Sequence, residues 1–218
     1  MSDGTTTLLL DFGSTGLAAL TAIMDPARVD GIVVTHLHGD HFGAIPYLVM
    51  QQRFASRARP LILAGPPGLE ARLRQLSLAL YADFYERPLP YELRFVPFGN
   101  GELAIGTARI AARRVMHSPD AEPHGVRLRM GGRLIAYTGD AGWSEDLPAL
   151  ASGADLFICE ATTYASAWAG HLSAVELAER RDAFGGVRVV LTHIGPEMHA
   201  PHAPVTFEVA EDGMTIRL

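Results

Sequence analysis

Short apolar runs rich in Leu, Ile and Val alternate along the chain with segments whose apolar residues recur every three or four positions. "TLLLDF" reads as a strand and "STGLAALTAIM" as a helix, with Ser14 at its N-cap. "GIVVTH" is the next strand, and "GAIPYLVMQQRF" carries a helical pattern. "PLILAG" is again a strand, and "PPGLEARLRQLSLALYADF" is a helix entered through prolines. The middle changes character. "YELRFVPF", "GELAIG", "ARIAARRVMH", "HGVRLRM" and "RLIAYTG" are strand-like runs punctuated by Gly or Pro, which predicts antiparallel pairing, with "MGGR" as a tight hairpin turn. "ADLFICEA", "SAVELAERRDAF" and "VRVVLTH" restore the alternation of strand, helix and strand, and "PVTFEVAEDGMTIRL" predicts a closing hairpin around Asp212-Gly213. Two sheets, each covered by helices on its outer face, satisfy this order. The expected fold is α/β (α+β): a four-layer αβ/βα sandwich in one domain spanning residues 1–218.

Composition narrows the picture. With 218 residues, 48% hydrophobic and 19% charged, the chain can bury a substantial core and is not a disordered one. A formal charge of −6 argues against nucleic acid as a general partner. Arg53, Arg57 and Arg59 read as solvated surface at a helix end, and the aromatics Tyr81, Phe84, Tyr85 and Tyr91 as core or subunit interface. The single cysteine, Cys159, allows no disulfide framework and no cysteine zinc knuckle; within "DLFICEAT" it reads as a buried, inert thiol. There is no signal-like N-terminus and no apolar window of membrane-spanning length, so a cytoplasmic protein without a membrane partner is expected.

Histidine is where the chemistry gathers. "VVTHLHGDHFG" places His36, His38, Asp40 and His41 directly after a predicted strand. His36 and His38 are two residues apart and so share one side of an extended segment, while Asp40 and His41 lie past Gly39, where the chain can turn. His117 follows "ARRVM", His193 follows "VVLT", and Asp140 follows "LIAYTG". Strand ends collect on one edge of a layered α/β fold, so these groups can converge on a pair of metal ions, with a carboxylate such as Asp140 shared between them. Imidazole and carboxylate suit Zn²⁺ best, with Mn²⁺ or Fe²⁺ as alternatives. His171 precedes Ser173 and Glu176, an S-x-x-E capping box, and so sits beside a helix N-terminus where an anion is favoured. Glu160 at the end of "LFICE" is a candidate for orienting a site histidine. His124 has no such support, and His199 and His202 read as surface loop residues.

"THLHGDH" together with His117, "YTGD" and "LTHI" resembles the metallo-β-lactamase superfamily, and within it the ribonuclease Z-like and phosphodiesterase branch. The resemblance extends over nearly the whole chain, including "LLLDFG" and "LILAGPPGLEARL". It implies a first metal on His36, His38 and His117, a second on Asp40, His41 and His193, and Asp140 bridging. It also implies that His171, in "GHLSAVELAERR", acts near a scissile phosphate.

These readings predict a metal-dependent hydrolase whose nucleophile is a hydroxide held by two metals. Asp40 would take up a proton, and His171 would stabilise the developing charge or protonate the leaving oxygen. A small phosphodiester, such as a cyclic nucleotide or cyclic sugar phosphate, is the expected substrate, and lactone, thioester or other ester hydrolysis is the alternative. The stretch between His117 and Asp140 reads as a hairpin, with no room for the tRNA-gripping arm that ribonuclease Z inserts there. A non-catalytic metal-binding protein would lack a ligand, and none is missing. Redox relatives carry glutamate where His38 stands. Family members open with a strand ahead of the one matching "TLLLDFG"; its absence after "MSDG" predicts either a start upstream or an open sheet edge that pairs with a second copy in a homo-oligomer.

Overall fold

The structure, a computed structural model, describes residues 1–55, 57–201 and 206–218 and divides into two compact units, Met1–Arg109 and Ile110–Leu218. The first contains β1 (Leu8–Leu10), α1 (Gly16–Ile23), β2 (Gly31–Val33), α2 (Gly39–Phe42), α3 (Ile45–Phe54), β3 (Leu61–Gly65), α4 (Leu69–Leu80), β4 (Leu93–Pro97) and β5 (Leu103–Ile105). Its sheet is wholly parallel in the order β1-β2-β3-β4, each strand pairing in sequence with the next. β2 is buried at every residue, as parallel strands covered on both faces require. Ile45, Leu48, Val49 and Gln52 of α3, and Leu69, Leu73 and Ser77 of α4, are buried at helical spacing. The apolar ones among them pack with Leu20 of α1 onto Ile32, Val34, Leu61 and Leu63.

A turn through Gly106 and Thr107 leads into β6 (Ala108–Arg114), which carries the chain into the second unit. There follow β7 (His124–Met130), β8 (Arg133–Tyr137), α5 (Leu147–Ala151), β9 (Leu156–Glu160), α6 (Ala174–Glu179), β10 (Val189–Thr192) and β11 (Glu208–Val209). β7 and β8 form the expected antiparallel hairpin. Its two turn residues, Gly131 and Gly132, have φ of 59° and 76°, the left-handed pair that a tight hairpin favours. β8, β9, β10 and β11 then run parallel. Alternate residues Leu134/Ala136, Phe157/Cys159 and Val189/Leu191 pack against Leu147, Leu150 and Leu177 of the helices.

Several expectations are corrected. β4 pairs in parallel with β3 rather than joining the antiparallel middle, because α4 is the crossover of a β-α-β unit. Among the described residues the tail forms no hairpin: β11 adds in parallel to β10, with Phe207 buried and Arg188 gripping Glu208 at 2.8–3.0 Å, and Asp212-Gly213 is only a turn. α1 starts two residues beyond Ser14, with Thr15 at its N-cap and no side-chain cap bond. The predicted "GAIPYLVMQQRF" helix is present as α3 from Ile45 onward, with the short α2 turn ahead of it, whereas "SAVELAERRDAF" breaks after Glu179 into a 3-10 turn over Arg181–Phe184. Phe84 and Tyr91 are core, while Tyr85 is partly exposed. His202 lies outside the described residues.

The arginine cluster is not merely solvated surface. Arg57 is buried and donates to four carbonyls: Arg59 at 2.8 Å, Ala27 at 3.2 Å, Val29 at 2.7 Å and Pro60 at 2.7 Å. Arg53 donates to the carbonyls of Phe84 and Arg87, and Arg59 pairs with Asp30. One guanidinium therefore satisfies the irregular backbone that feeds β2 and β3. Arg57→Ala should lower unfolding free energy by about 2–4 kcal/mol in a urea titration, since each charge-assisted bond contributes roughly 1.5–3 kcal/mol. A change within about 0.5 kcal/mol would show that water replaces the guanidinium. Cys159 is fully buried, and burial pushes its thiol well above the ordinary range. A thiol-reactive dye should leave it untouched in the folded protein and label it in denaturant; rapid native labelling would contradict the packing.

Candidate metal centre

In the first unit, the segment after β2 turns sharply into α2. His36 and His41 are buried, His38 is half-buried, and Asp40 is exposed, with 63% of its side chain open to solvent. His36 Nε2 and His38 Nδ1 lie 3.1 Å apart, and His41 Nε2 lies 3.5 Å from Asp40 Oδ2. What holds them is Asp11, at the end of β1. Its carboxylate accepts from Thr35 N at 2.7 Å, from the Thr35 hydroxyl at 2.8 Å and from His41 Nδ1 at 2.8 Å. The Thr35 hydroxyl spends its one proton on Asp11, so it accepts from His36 Nδ1 at 3.1 Å. Phe12 N donates to His41 O, and Ala44 N to Phe12 O. A Cβ on Gly13 would stand 1.8 Å from Asp40 O, so only glycine lets the post-β1 loop close on the motif.

In the second unit, Asp140 is buried between two histidines: His117 Nε2 is 3.8 Å from Oδ2, and His193 Nε2 is 3.3 Å from Oδ1. His117 donates Nδ1–H to Gly170 O at 2.8 Å. Glu160, fully buried at the end of β9, accepts five hydrogen bonds: Ala141 N and His171 Nδ1 on one oxygen, Thr162 N, the Thr162 hydroxyl and Leu172 N on the other. Thr162, having given its proton to Glu160, accepts from His193 Nδ1 at 3.0 Å. Glu160, His171 and His193 do present atoms within 4.8 Å of one another. With both oxygens of Glu160 already occupied by donors, that trio is an orienting network and not a ligand set.

A common rule emerges in both units. His36, His41, His117 and His193 each commit Nδ1–H to a fixed acceptor, which makes Nε2 the lone-pair nitrogen of the neutral ring. Those Nε2 atoms face a carboxylate oxygen or another imidazole nitrogen. Two lone pairs at 3.1–3.8 Å repel unless a proton or a metal ion lies between them, and imidazole nitrogens gathered with carboxylate oxygens are a donor set that fits a divalent metal.

Thus His36, His38, Asp40 and His41 gather at one point of the first unit, and His117, Asp140, His171, Glu160 and His193 at one point of the second. α6 is a six-residue helix capped by Ser173 Oγ accepting from Glu176 N; His171 stands outside it, held by Glu160 rather than by the helix end. His199 is exposed in a 3-10 turn, and His124 is buried against the carbonyl of Glu122, with burial lowering its pKa. Reading the sequence missed Asp11, Thr35, Thr162 and Gly170. Asp11 carried the one available signal, an acid at a strand end in "LLLDFG". Asp11 and His193 also have positive φ, 58° and 55°, as does Glu122 at 52°, left-handed backbone in which a residue with a Cβ is strained.

Comparison with known proteins agrees with this chemistry. Residues 9–194 match the beta-lactamase superfamily domain, and the chain belongs to that family. An uncharacterized protein of Mycobacterium leprae is 34% identical over 198 residues, covering 87% of this chain and 67% of its own length. A ribonuclease Z of Methanothermobacter thermautotrophicus is 27% identical, covering 89% of this chain and 81% of its own. The crystal structure of the metallo-beta-lactamase fold protein YhfI from Bacillus subtilis superposes with a TM-score of 0.78 at 22% identity, over 98% of this chain and 87% of that one. The chain is a metallo-β-lactamase-fold hydrolase with ribonuclease Z-like relatives, and divalent metal is the cofactor type of that fold. The expected fold class is the one observed. Among the described residues no helix is long and apolar enough to cross a membrane.

The Glu160 network makes a sharp prediction. An amide can replace only one of the two acceptor oxygens, so Glu160→Gln strands at least two donors whichever way it turns. Unfolding free energy should fall by about 2–4 kcal/mol, at roughly 1–3 kcal/mol per stranded donor, as measured by urea titration. Unchanged stability would mean the carboxylate is not the hub.

Proposed function

We propose that the chain hydrolyses small phosphodiesters, cyclic nucleotides or cyclic sugar phosphates, with two divalent cations as its cofactor. His36, His38 and His117 would hold one, Asp40, His41 and His193 the other, and Asp140 both; zinc suits these donors best, with manganese or iron as alternatives. The observation that carries this reading is the fixed Nδ1 tethering of His36, His41, His117 and His193, which leaves each Nε2 aimed at an electron-rich neighbour. When bound, such a pair of cations lowers the pKa of water towards neutrality and withdraws charge from a phosphoryl oxygen.

The chain's own residues do the rest. Asp40, exposed at the start of α2, would accept a proton from the attacking water. His171, its Nδ1–H held by the Glu160 carboxylate at 2.8 Å, would act as the imidazolium, giving its Nε2 proton to the leaving oxygen and returning to the neutral ring. A phosphodiester is favoured over a lactone or thioester because the ribonuclease Z relative is, by name, a phosphodiester-cleaving enzyme. A large RNA is disfavoured. The segment from His117 to Asp140 is taken up by a 3-10 turn and the β7–β8 hairpin, closed by only Gly131 and Gly132, and the chain carries a formal charge of −6.

Metal analysis, followed by assays with bis-p-nitrophenyl phosphate, cyclic nucleotides, a lactone and a thioester, tests this reading. Phosphodiester turnover lost on chelation and restored by metal is expected. Turnover of the lactone or thioester alone would move the assignment to the ester-hydrolysing alternative. His171→Ala should retain its metal content and lose roughly 10²–10⁴-fold in turnover. Full turnover in that variant would remove His171 from the reaction.

A further inference from the structure

Immediately before His171 the chain makes a tight turn that does more than receive His117. His171 N donates to Trp168 O at 3.0 Å, and Gly170 in the third position has φ of 82°, a value that glycine adopts without strain. The turn is braced on both sides. Thr163 Oγ1 donates to Ser166 O at 2.6 Å, and Glu197 Oε1 accepts from Ala165 N at 3.3 Å and Ser166 N at 3.4 Å. Gly170 O is the carbonyl that receives His117 Nδ1. One short loop therefore sets Trp168, His171 and His117 together.

Trp168 is the residue this loop displays. Its ring centroid lies 5.0 Å from that of His171, whose ring also has those of His117 at 4.9 Å and His193 at 5.8 Å nearby. Yet Trp168 is 57% exposed, the most open of the chain's two tryptophans. Trp143 serves as a contrast: half-buried, it has Arg180 4.4 Å above its ring and Phe184 at 6.0 Å, and is accounted for by packing. A large indole left in water on a braced turn, against the proposed proton donor, contributes little to folding and offers a flat π-surface beside the reacting centre.

Resting on the phosphodiesterase reading above, we propose that Trp168 is a specificity residue on which the base of a nucleoside phosphodiester stacks. Every nucleobase has a π-face, and base–aromatic stacking is sequence-tolerant and substantial. A nucleotide carries its phosphate one sugar away from its base, so a base on the indole leaves the phosphodiester beside His171. Cyclic nucleotides are thereby favoured over sugar phosphates that carry no base.

The test has a binding arm and a kinetic arm. Adenosine 5′-monophosphate should quench the tryptophan emission of the purified protein, ribose 5-phosphate should not, and the quench should vanish in Trp168→Phe, which retains Trp143. In kinetics, Trp168→Ala should lower kcat/KM for a cyclic nucleotide, relative to a base-free cyclic sugar phosphate, by about ten- to hundredfold, chiefly through KM. Trp168→Phe, which still stacks, should recover most of that ratio. A quench that survives in Trp168→Phe, or a Trp168→Ala loss equal for both substrates, overturns the proposal. If neither diester is turned over, the phosphodiesterase reading falls on its own, and the monophosphate quench still decides Trp168 in either direction.

Discussion

A carboxylate sealed from water must be met by donors, and Glu160 is met by five. That requirement orders the second unit. The donors come from the residue after Asp140, from Thr162, from the ring of His171 and from Leu172, so the ends of β8 and β9 and the loop before α6 are pulled onto one point. Thr162 passes the constraint onward to His193, because a hydroxyl that has given up its proton can only accept. Asp11 does the same in the first unit, fixing His41 directly and His36 through Thr35. In each unit a strand-end acid that is not itself a proposed ligand decides which nitrogen of its histidines carries the proton.

The candidate ligands were legible in the sequence because they share a simple address, the first residues after a buried strand. His36, His117, Asp140 and His193 are found by marking where apolar runs stop. The orienting residues have no such signature. Thr35 and Thr162 look like ordinary loop threonines, and their role depends on a neighbour many positions away in sequence. Glu160 could be picked out as an acid at a strand end, but not the number of backbone donors that converge on it.

The fold was readable to the same extent and failed for a related reason. Alternation of apolar runs locates strands but does not say which strand each one meets. "YELRFVPF" therefore looked like a partner of the runs after it, whereas β4 lies beside β3 across the α4 crossover. The tail looked like a hairpin because a turn residue pair sits in it, yet burial of Phe207 and the Arg188–Glu208 pair bring it onto β10 instead. Arg57 was misjudged because charge suggests solvent. Four backbone carbonyls around an irregular entry to the sheet are what a guanidinium can satisfy and an apolar side chain cannot.

His193 sits in left-handed backbone, where a side chain with a Cβ is held under strain and glycine or asparagine would be at ease. Stability alone therefore argues against histidine at that position. An engineer who screened this chain only for heat resistance would be drawn towards replacing it, and would thereby remove a candidate site residue. Position 193 is where the fold and its chemistry ask for different amino acids, and the residue present is the one that chemistry asks for.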